Sequence, residues 1–135
     1  MIVADTNLIC YLFIDGEFTD SSEKVFQKDP WWAAPLLWRS EMRNVLAVSV
    51  RKNRLELKTA IEIMAEAERL LKGNEYATKS GAVLELTARS TCSAYDCEFV
   101  ALARDLQVPL VTNDRRILAD FPETAVEFRG FIEQA

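Results

Sequence analysis

Acidic side chains stand at positions in this chain where they could carry out chemistry at one edge of a sheet. Asp5 directly follows the apolar run 1–4, and Asp114 follows a second apolar run, 108–111, after only two residues. In an open parallel sheet, binding sites form beyond the carboxyl ends of the strands. The two aspartates are therefore predicted to lie at the same edge, although either could instead be a helix N-cap or a turn residue.

Two further acids are predicted to lie early in helices. Glu41 is one residue into a helix predicted to begin at Ser40, and Asp96 is in the first turn of a helix that Ser93 opens. At about 100° per residue, each acid shares an arc of roughly 60° with apolar residues of its own helix. Both could cap a helix or complement its dipole. That interpretation does not explain why both border an apolar stripe, where an unpaired charge is costly to desolvate.

Four converging carboxylates suggest a metal site. Without histidine or thiolate ligands, such a set suits a hard cation, Mg²⁺ or Mn²⁺, which retains water and binds phosphate oxygens. A bound cation of this kind lowers the pKa of its water and stabilises the charge that develops on phosphorus. The residues therefore point to metal-assisted hydrolysis of a phosphodiester bond.

Composition excludes several other kinds of site. The chain has 135 residues and no histidine, so it cannot build a Ser-His-Asp triad, a Cys-His pair or an H-E-x-x-H zinc site. Its four glycines are at least eight positions apart, which excludes G-x-G-x-x-G and the phosphate-binding P-loop. Its three cysteines lack C-x-x-C spacing, so they are predicted to be small buried hydrophobes.

Strands and helices alternate along the chain. Apolar runs predict strands at residues 1–4, 31–34, 76–78, 108–111 and 125–128. Helical spacing and capping residues predict helices at residues 8–14, 21–29, 40–52, 57–71, 80–89 and 93–105. The pattern predicts an α/β fold in which one domain, residues 1–135, has a mostly parallel sheet covered by helices on both faces. Two of the helices, between residues 40 and 71, are expected to form a helical hairpin.

The sequence is that expected of a cytoplasmic protein. Its longest mostly apolar run, 31–38, is far too short to span a membrane, and no basic segment leads into a long apolar stretch at residues 1–5. We therefore expect no membrane partner.

Several segments together carry a resemblance to a known family. They are D-T-N at 5–7, Glu41 on an early helix, S-A-Y-D at 93–96 and L-V-T-N-D at 110–114. In this order and at this spacing, the sequence resembles a PIN domain and, more narrowly, is similar to the VapC-like toxins of prokaryotic toxin-antitoxin pairs. The resemblance spans essentially the whole chain.

The resemblance implies a three-layer α/β/α fold and a sequence- or structure-selective endoribonuclease. It implies that an acidic quartet binds Mg²⁺ or Mn²⁺, namely Asp5, Glu41, Asp96 and Asp114. It also implies supporting roles for the Thr112 hydroxyl and for Thr6 and Asn7, which would shape the pocket. Such proteins are commonly homodimers, and an antitoxin whose tail blocks the acidic pocket keeps them silent.

Contacts with RNA must come from local basic patches, because a net charge of −5 repels a polyanion. Arg115 and Arg116 are candidates, since they follow a proposed metal ligand where a phosphate would arrive. A second group surrounds the Glu41 helix and could equally be a solvated helix face; its members are Arg39, Arg43, Arg51, Lys52 and Arg54.

Aromatic residues are enriched in the first third of the chain. Most are expected in the core or at a dimer contact, and one or two exposed ones are expected to meet the antitoxin or the second subunit. They are Tyr11, Phe13, Phe18, Trp31, Trp32 and Trp38.

Other functions stay open at the level of sequence. A PIN-type nuclease that acts in RNA processing or on structured DNA, outside any toxin-antitoxin system, has the same residues. A phosphoacceptor receiver-like domain would need a lysine after a late strand and paired acids after the first strand, and neither is present. An inactive binding module is the weakest alternative, because all four acids are retained.

Overall fold

Five short strands form one sheet in the structure, a computed structural model that describes residues 1–135. The strands are β1 (Ile2–Ala4), β2 (Trp32–Pro35), β3 (Glu75–Tyr76), β4 (Leu110–Val111) and β5 (Ala125–Val126). Their order across the sheet is β3-β2-β1-β4-β5, and every pairing is parallel. The predicted α/β class is thus confirmed, and the sheet is entirely rather than mostly parallel.

Eight helices surround this sheet. They are α1 (Thr6–Phe13), α2 (Thr19–Lys28), α3 (Leu37–Arg51), α4 (Leu57–Leu70), α5 (Ser80–Ala88), α6 (Ala94–Leu106), α7 (Arg115–Asp120) and α8 (Phe128–Glu133). Parallel crossovers are right-handed, so α1 to α4 cover one face and α5 and α6 cover the other. In agreement, α6 packs on β1, β2 and β4, with α5 against it, and α2 packs between α1 and α8. The three-layer α/β/α arrangement and the hairpin of α3 and α4 are as predicted.

The strand order reverses direction beside β1. The chain moves from β1 through β2 to β3 on one side and then returns past β1 to add β4 and β5 on the other. Crossovers therefore leave β1 and β4 toward opposite faces, which opens a crevice at the carboxyl ends of these two strands. Asp5 follows β1 at this crevice, and Asp114 follows β4.

The core explains why the strands are apolar. All three residues of β1 and all four of β2 are buried, since helices cover both of their faces. The buried apolar residues form one contiguous cluster that includes the three cysteines, as predicted. No helix combines the length and the hydropathy that are needed to cross a bilayer.

Several predicted boundaries were wrong. Helix α3 begins at Leu37 rather than Ser40, because the chain turns into the helix directly after Pro35 and buries Trp38 in its first turn. Glu41 therefore lies in the second turn and not at the start. Helices α7 and α8 were not predicted, because six residues are too few to show a helical period. Strand β5 ends at Val126 rather than at residue 128, since Phe128 begins α8.

Smaller shifts affect other elements: α1 begins at Thr6 rather than at residue 8, β2 is Trp32–Pro35 rather than residues 31–34, and β4 begins at Leu110 rather than at residue 108. Helix α2 begins at Thr19, two residues earlier than predicted. Strand β3 is Glu75–Tyr76 rather than residues 76–78.

Candidate active site

The register of the sheet brings two of the predicted acids together. Ala4 of β1 pairs with Val111 of β4, so the next residues, Asp5 and Thr112, are level with each other. The Thr112 hydroxyl donates a hydrogen bond to Asp5 Oδ2, and its oxygen accepts one from the backbone N–H of Asp114 at 3.0 Å. One fully buried hydroxyl thereby links both aspartates.

Asp5 and Asp114 are also helix N-caps. Asp5 Oδ1 accepts a hydrogen bond from the N–H of Leu8 at 2.9 Å, and Asp114 Oδ1 accepts one from the N–H of Ile117 at 2.9 Å. The capping role predicted as an alternative is thus real for both residues. It occupies only one oxygen of each carboxylate, so capping leaves the other oxygen of Asp114 available to a ligand. Capping and ligand binding are compatible here.

The two helical acids approach the same place from opposite faces of the sheet. Glu41 Oε1 accepts a hydrogen bond of 2.6 Å from the Thr6 hydroxyl, which connects α3 to the start of α1. Asp96 lies in the first turn of α6, where its N–H donates to the Ser93 hydroxyl at 3.1 Å. The first contact joins α3 to α1 at the crevice, and the second caps the start of α6 beside it.

All four acids line one cleft of about 470 Å³. They come from four separate elements: the end of β1, the second turn of α3, the first turn of α6 and the N-cap of α7. None of the four carboxylates forms a salt bridge. No lysine or arginine lines the cleft; the other lining residues are Thr6, Asn7, Leu37, Ser40, Asn44, Val45, Tyr95, Phe99 and Ile117.

Burial raises the pKa of the Asp5 carboxyl from 3.8 to about 6. The hydrogen bonds from Thr112 and Leu8 oppose this increase because they favour the charged form, while the nearby charges of Asp114 and Glu41 add to it. Asp5 is thus a charge that the protein buries without a cationic partner.

Glu41 and Asp96 have the same electrostatic character. Burial is the largest cause of the raised pKa of Glu41, which the Thr6 hydrogen bond opposes and the charge of Asp96 increases. Burial also raises the pKa of Asp96, and the charge of Asp114 adds to it. Because the pKa values of Asp5, Glu41 and Asp96 each respond to the charge of another acid of the set, the cleft is one electrostatic unit that a divalent cation would neutralise.

The donor set fits a hard cation by its chemistry. It offers only oxygen ligands, which Mg²⁺ and Mn²⁺ prefer, and no imidazole or thiolate reaches the cleft. No three acidic or thiol side chains lie close enough together to hold one ion directly. Such spacing suits Mg²⁺, which keeps several waters and usually takes one or two carboxylates together with phosphate oxygens.

The remaining predicted residues divide between the cleft and other surfaces. Thr6 and Asn7 line the cleft, and Arg115 and Arg116 are exposed at the start of α7, directly after Asp114. The cations around α3 lie elsewhere. The guanidinium of Arg39 forms ion pairs with Glu68 and Glu75 on the side of α3 that faces α4 and β3.

Other cations of this group lie along the helical hairpin. Arg43 and Arg51 border a groove between α3 and α4, while Lys52 and Arg54 are exposed at the connection between these helices.

Sequence reasoning did not select the apolar side of the cleft. Tyr95 and Phe99 flank Asp96 on α6, while Leu37 and Val45 lie beside Glu41 on α3. Helical spacing was the available signal, because residues three or four positions from a helical acid lie on the same face. The six aromatic residues of the first third contribute nothing to this cleft.

Comparisons with known proteins agree with this fold. A sequence model of the PIN domain family matches residues 2–124. The fold is similar to the crystal structure of PAE2754 from Pyrobaculum aerophilum, with a TM-score of 0.76 and 19% identity over 97% of this chain and 92% of that chain. It is also similar to FitAcB from Neisseria gonorrhoeae, with a TM-score of 0.76 and 13% identity over 96% and 99% of the two chains.

A third similar structure is a toxin-antitoxin complex from Klebsiella pneumoniae. The TM-score is 0.66 and the identity 18%, over 93% of this chain and 96% of that chain. No curated protein matches the sequence.

Proposed function

Since this chain belongs to the PIN domain family, we propose that it is a metal-dependent endoribonuclease, a VapC-like toxin that a cognate antitoxin holds inactive. The main support for the proposal is the cleft, which four carboxylates from four different elements line and which no lysine or arginine side chain lines. The lack of a cationic partner opposes folding, because Asp5 is buried, Glu41 and Asp96 are half-buried, and an unpaired charge is costly to desolvate. The arrangement is the one expected of a site built for a divalent cation.

In this proposal Asp5, Asp96 and Asp114 surround Mg²⁺ or Mn²⁺, one or two of them as direct ligands and the rest through waters bound to the ion. The bound cation supplies a water of lowered pKa and stabilises the negative charge that develops on the phosphorus centre. Thr112 fixes the positions of two of the three aspartates through its hydrogen bonds to Asp5 and to the N–H of Asp114. Arg115 and Arg116 stand next to Asp114, where they can contact the phosphate of the substrate.

Glu41 is the proposed group that binds the cation or orients the attacking water. Its Oε1 already accepts a hydrogen bond from Thr6, which leaves Oε2 to accept one from water. Burial raises its pKa, and a carboxylate with a raised pKa is a better proton acceptor than an ordinary one. Thr6 thereby sets the orientation of the group that acts on the water.

The test is cleavage of a mixed pool of structured and unstructured RNA in Mg²⁺, in Mn²⁺ and in EDTA. We expect cleavage in either metal, none in EDTA, and none from Asp5→Asn or Asp96→Asn. Asp105→Asn is the matched control, because Asp105 is an exposed aspartate on the same helix as Asp96. Undiminished cleavage in EDTA, or by both cleft variants, would show that the site assignment is wrong.

The proposed antitoxin has a candidate docking surface in the α3–α4 groove, an apolar depression of about 390 Å³. Its lining residues are Arg43, Leu46, Ala47, Val50, Arg51, Leu57, Ala60, Ile61 and Met64. Leu57 and Ile61 are more than half exposed, which is unusual for large apolar side chains. Arg43 and Arg51 form no salt bridge, so the groove suits an amphipathic helix whose polar edges are acidic.

Co-expression with the open reading frame next to this gene tests the partner. We expect a stable complex with the wild-type chain, and loss of that complex with Ile61→Glu, which places a charge in the groove. Glu62→Lys, a charge change on the outer side of α4, is the control. Expression of the chain alone is expected to arrest growth, and Asp5→Asn is expected to relieve that arrest.

A nuclease of RNA processing or of structured DNA, outside a toxin-antitoxin system, is the alternative. It predicts the same metal-dependent cleavage, but no growth arrest and no complex with a neighbouring gene product.

A further inference from the structure

One wall of the acidic cleft is apolar, and the metal chemistry proposed above does not use it. Tyr95 and Phe99 of α6 form part of this wall, opposite Leu37 and Val45 of α3. Phe99 is 4% exposed, as expected of a core residue, whereas Tyr95 is 63% exposed. The cleft therefore presents one solvent-accessible aromatic ring immediately beside a proposed metal ligand, Asp96.

Tyr95 has no structural reason to be aromatic. Its hydroxyl forms no hydrogen bond, and its ring packs against no other aromatic ring. The other strongly exposed aromatic residue, Trp31, differs from Tyr95 in its position and in its hydrogen bonding. It precedes β2, at the sheet edge opposite the cleft, and its indole N–H donates to Asn74 Oδ1 at 3.1 Å.

The charge of the cleft makes such a ring useful. A polyanion usually gains affinity from lysine and arginine, but none lines this cleft. Stacking between a base and an aromatic ring does not depend on charge, and it requires a base that is not already stacked inside a duplex. A ring at the rim of an acidic cleft can therefore bind a nucleic acid by its bases where its phosphates are repelled.

We propose that Tyr95 is the specificity-determining residue that stacks on an unpaired base of the RNA strand, next to the bond that is cut. The inference rests on the proposed nuclease function and specifies its substrate class as single-stranded RNA. Asn7 and Asn44 are exposed in the same cleft, where their amides can form hydrogen bonds with the edge of the stacked base. The buried Phe99 lies one helical turn away and supports this wall from below.

The test measures binding of a short unstructured RNA that carries one 2-aminopurine, a base whose fluorescence is quenched by stacking. Binding is titrated in EDTA and, within the first turnover, in Mg²⁺. We expect quenching by the wild-type protein and a Kd that is roughly 5- to 150-fold higher for Tyr95→Ala, the range for loss of one stacked base. Tyr95→Phe keeps the ring and is expected to bind like the wild type.

Two controls separate stacking from general damage to the protein. Trp31→Ala removes the exposed aromatic ring outside the cleft, and we expect its Kd to be unchanged. Pairing the RNA with its complement is expected to weaken binding to the wild type and to have much less effect on Tyr95→Ala. In cleavage assays Tyr95→Ala is expected to raise KM for unstructured RNA with little change in kcat.

The two proposals fail in different ways. Equal binding by Tyr95→Ala and the wild type, or no quenching by the wild type in either buffer, overturns the role of Tyr95 even if the RNA is cut. Ring-dependent binding of unpaired RNA supports the role of Tyr95 even if no condition gives cleavage. The absence of cleavage would instead overturn the proposed nuclease activity.

Discussion

Asp5→Asn is expected to make the metal-free protein more stable while it abolishes cleavage. The reason is the buried charge of Asp5, whose pKa rises from 3.8 to about 6 on folding. A difference of about two pKa units corresponds to about 3 kcal/mol that folding expends to keep this carboxylate ionised at neutral pH. Asparagine carries no charge, and its side-chain oxygen can still accept the capping hydrogen bond from the N–H of Leu8.

The size of the effect depends on pH in a defined direction. Below pH 4 Asp5 is protonated in both the folded and the unfolded chain, so the variant has no advantage. Between about pH 4 and pH 6 the folded protein holds the proton more tightly than the unfolded chain, and the free energy of unfolding of the wild type falls as pH rises. The advantage of Asp5→Asn should therefore grow over this window and level off above pH 7 at about 2 to 3 kcal/mol.

Urea denaturation in EDTA from pH 4 to pH 8 measures this difference. In thermal unfolding at pH 8, the melting temperature of the variant should be higher by roughly 7 to 11 °C. Asp15→Asn, a change at an exposed turn, is the control and is expected to have no effect. Mg²⁺ should then stabilise the wild type and not the variant, because only a folded state that binds the ion gains from it. A variant no more stable than the wild type at pH 8, or equally stabilised at pH 4, would refute this account of Asp5.

Other substitutions test single contacts of the site. Thr112→Val keeps the shape of the side chain but leaves Asp5 and the N–H of Asp114 without their shared partner, so urea denaturation should show a loss of about 2 to 3 kcal/mol; an unchanged midpoint would contradict the role of this hydroxyl. Glu41→Gln should lower kcat by roughly 100-fold or more in a single-turnover cleavage assay, whereas Glu98→Gln should retain activity. Arg39→Met should cost about 1 to 2 kcal/mol in urea denaturation, because it leaves two carboxylates unpaired, and should not change RNA binding. Weaker RNA binding by Arg39→Met would instead support the prediction that this residue contacts RNA. Sedimentation velocity of the purified chain should show a homodimer, and a monomer at all concentrations would contradict that expectation.

Much of the fold follows from local pattern. The apolar run before Asp5 and the one before Thr112 could be read as buried parallel strands, because helices on both faces leave no polar side to such a strand. Once these strands are adjacent, the register makes Asp5 and Thr112 level. The sequence therefore predicted the central residues of the site. The fold class alone predicted the edge of the sheet at which they lie.

The parts that were not predicted depend on tertiary contacts. The start of α3 at Leu37 is fixed by burial of Trp38 against the sheet, and nothing in the local sequence distinguishes it from the serine three residues later. The ion pairs of Arg39 with Glu68 and Glu75 join residues about 30 to 36 positions apart. Sequence reasoning placed Arg39 among free cations because it could not see these partners.

The position of β4 in the sheet has a consequence for the synthesis of the protein. Asp5 belongs to the first strand to leave the ribosome, but β4, which orients it through Thr112, lies more than 100 residues further along the chain. When Asp5, Glu41 and Asp96 have been synthesised, the nascent chain still lacks β4 and Asp114. Contacts of such long sequence separation are slow to form, so the cleft that we propose to cut RNA is complete only after almost all of the chain has been translated.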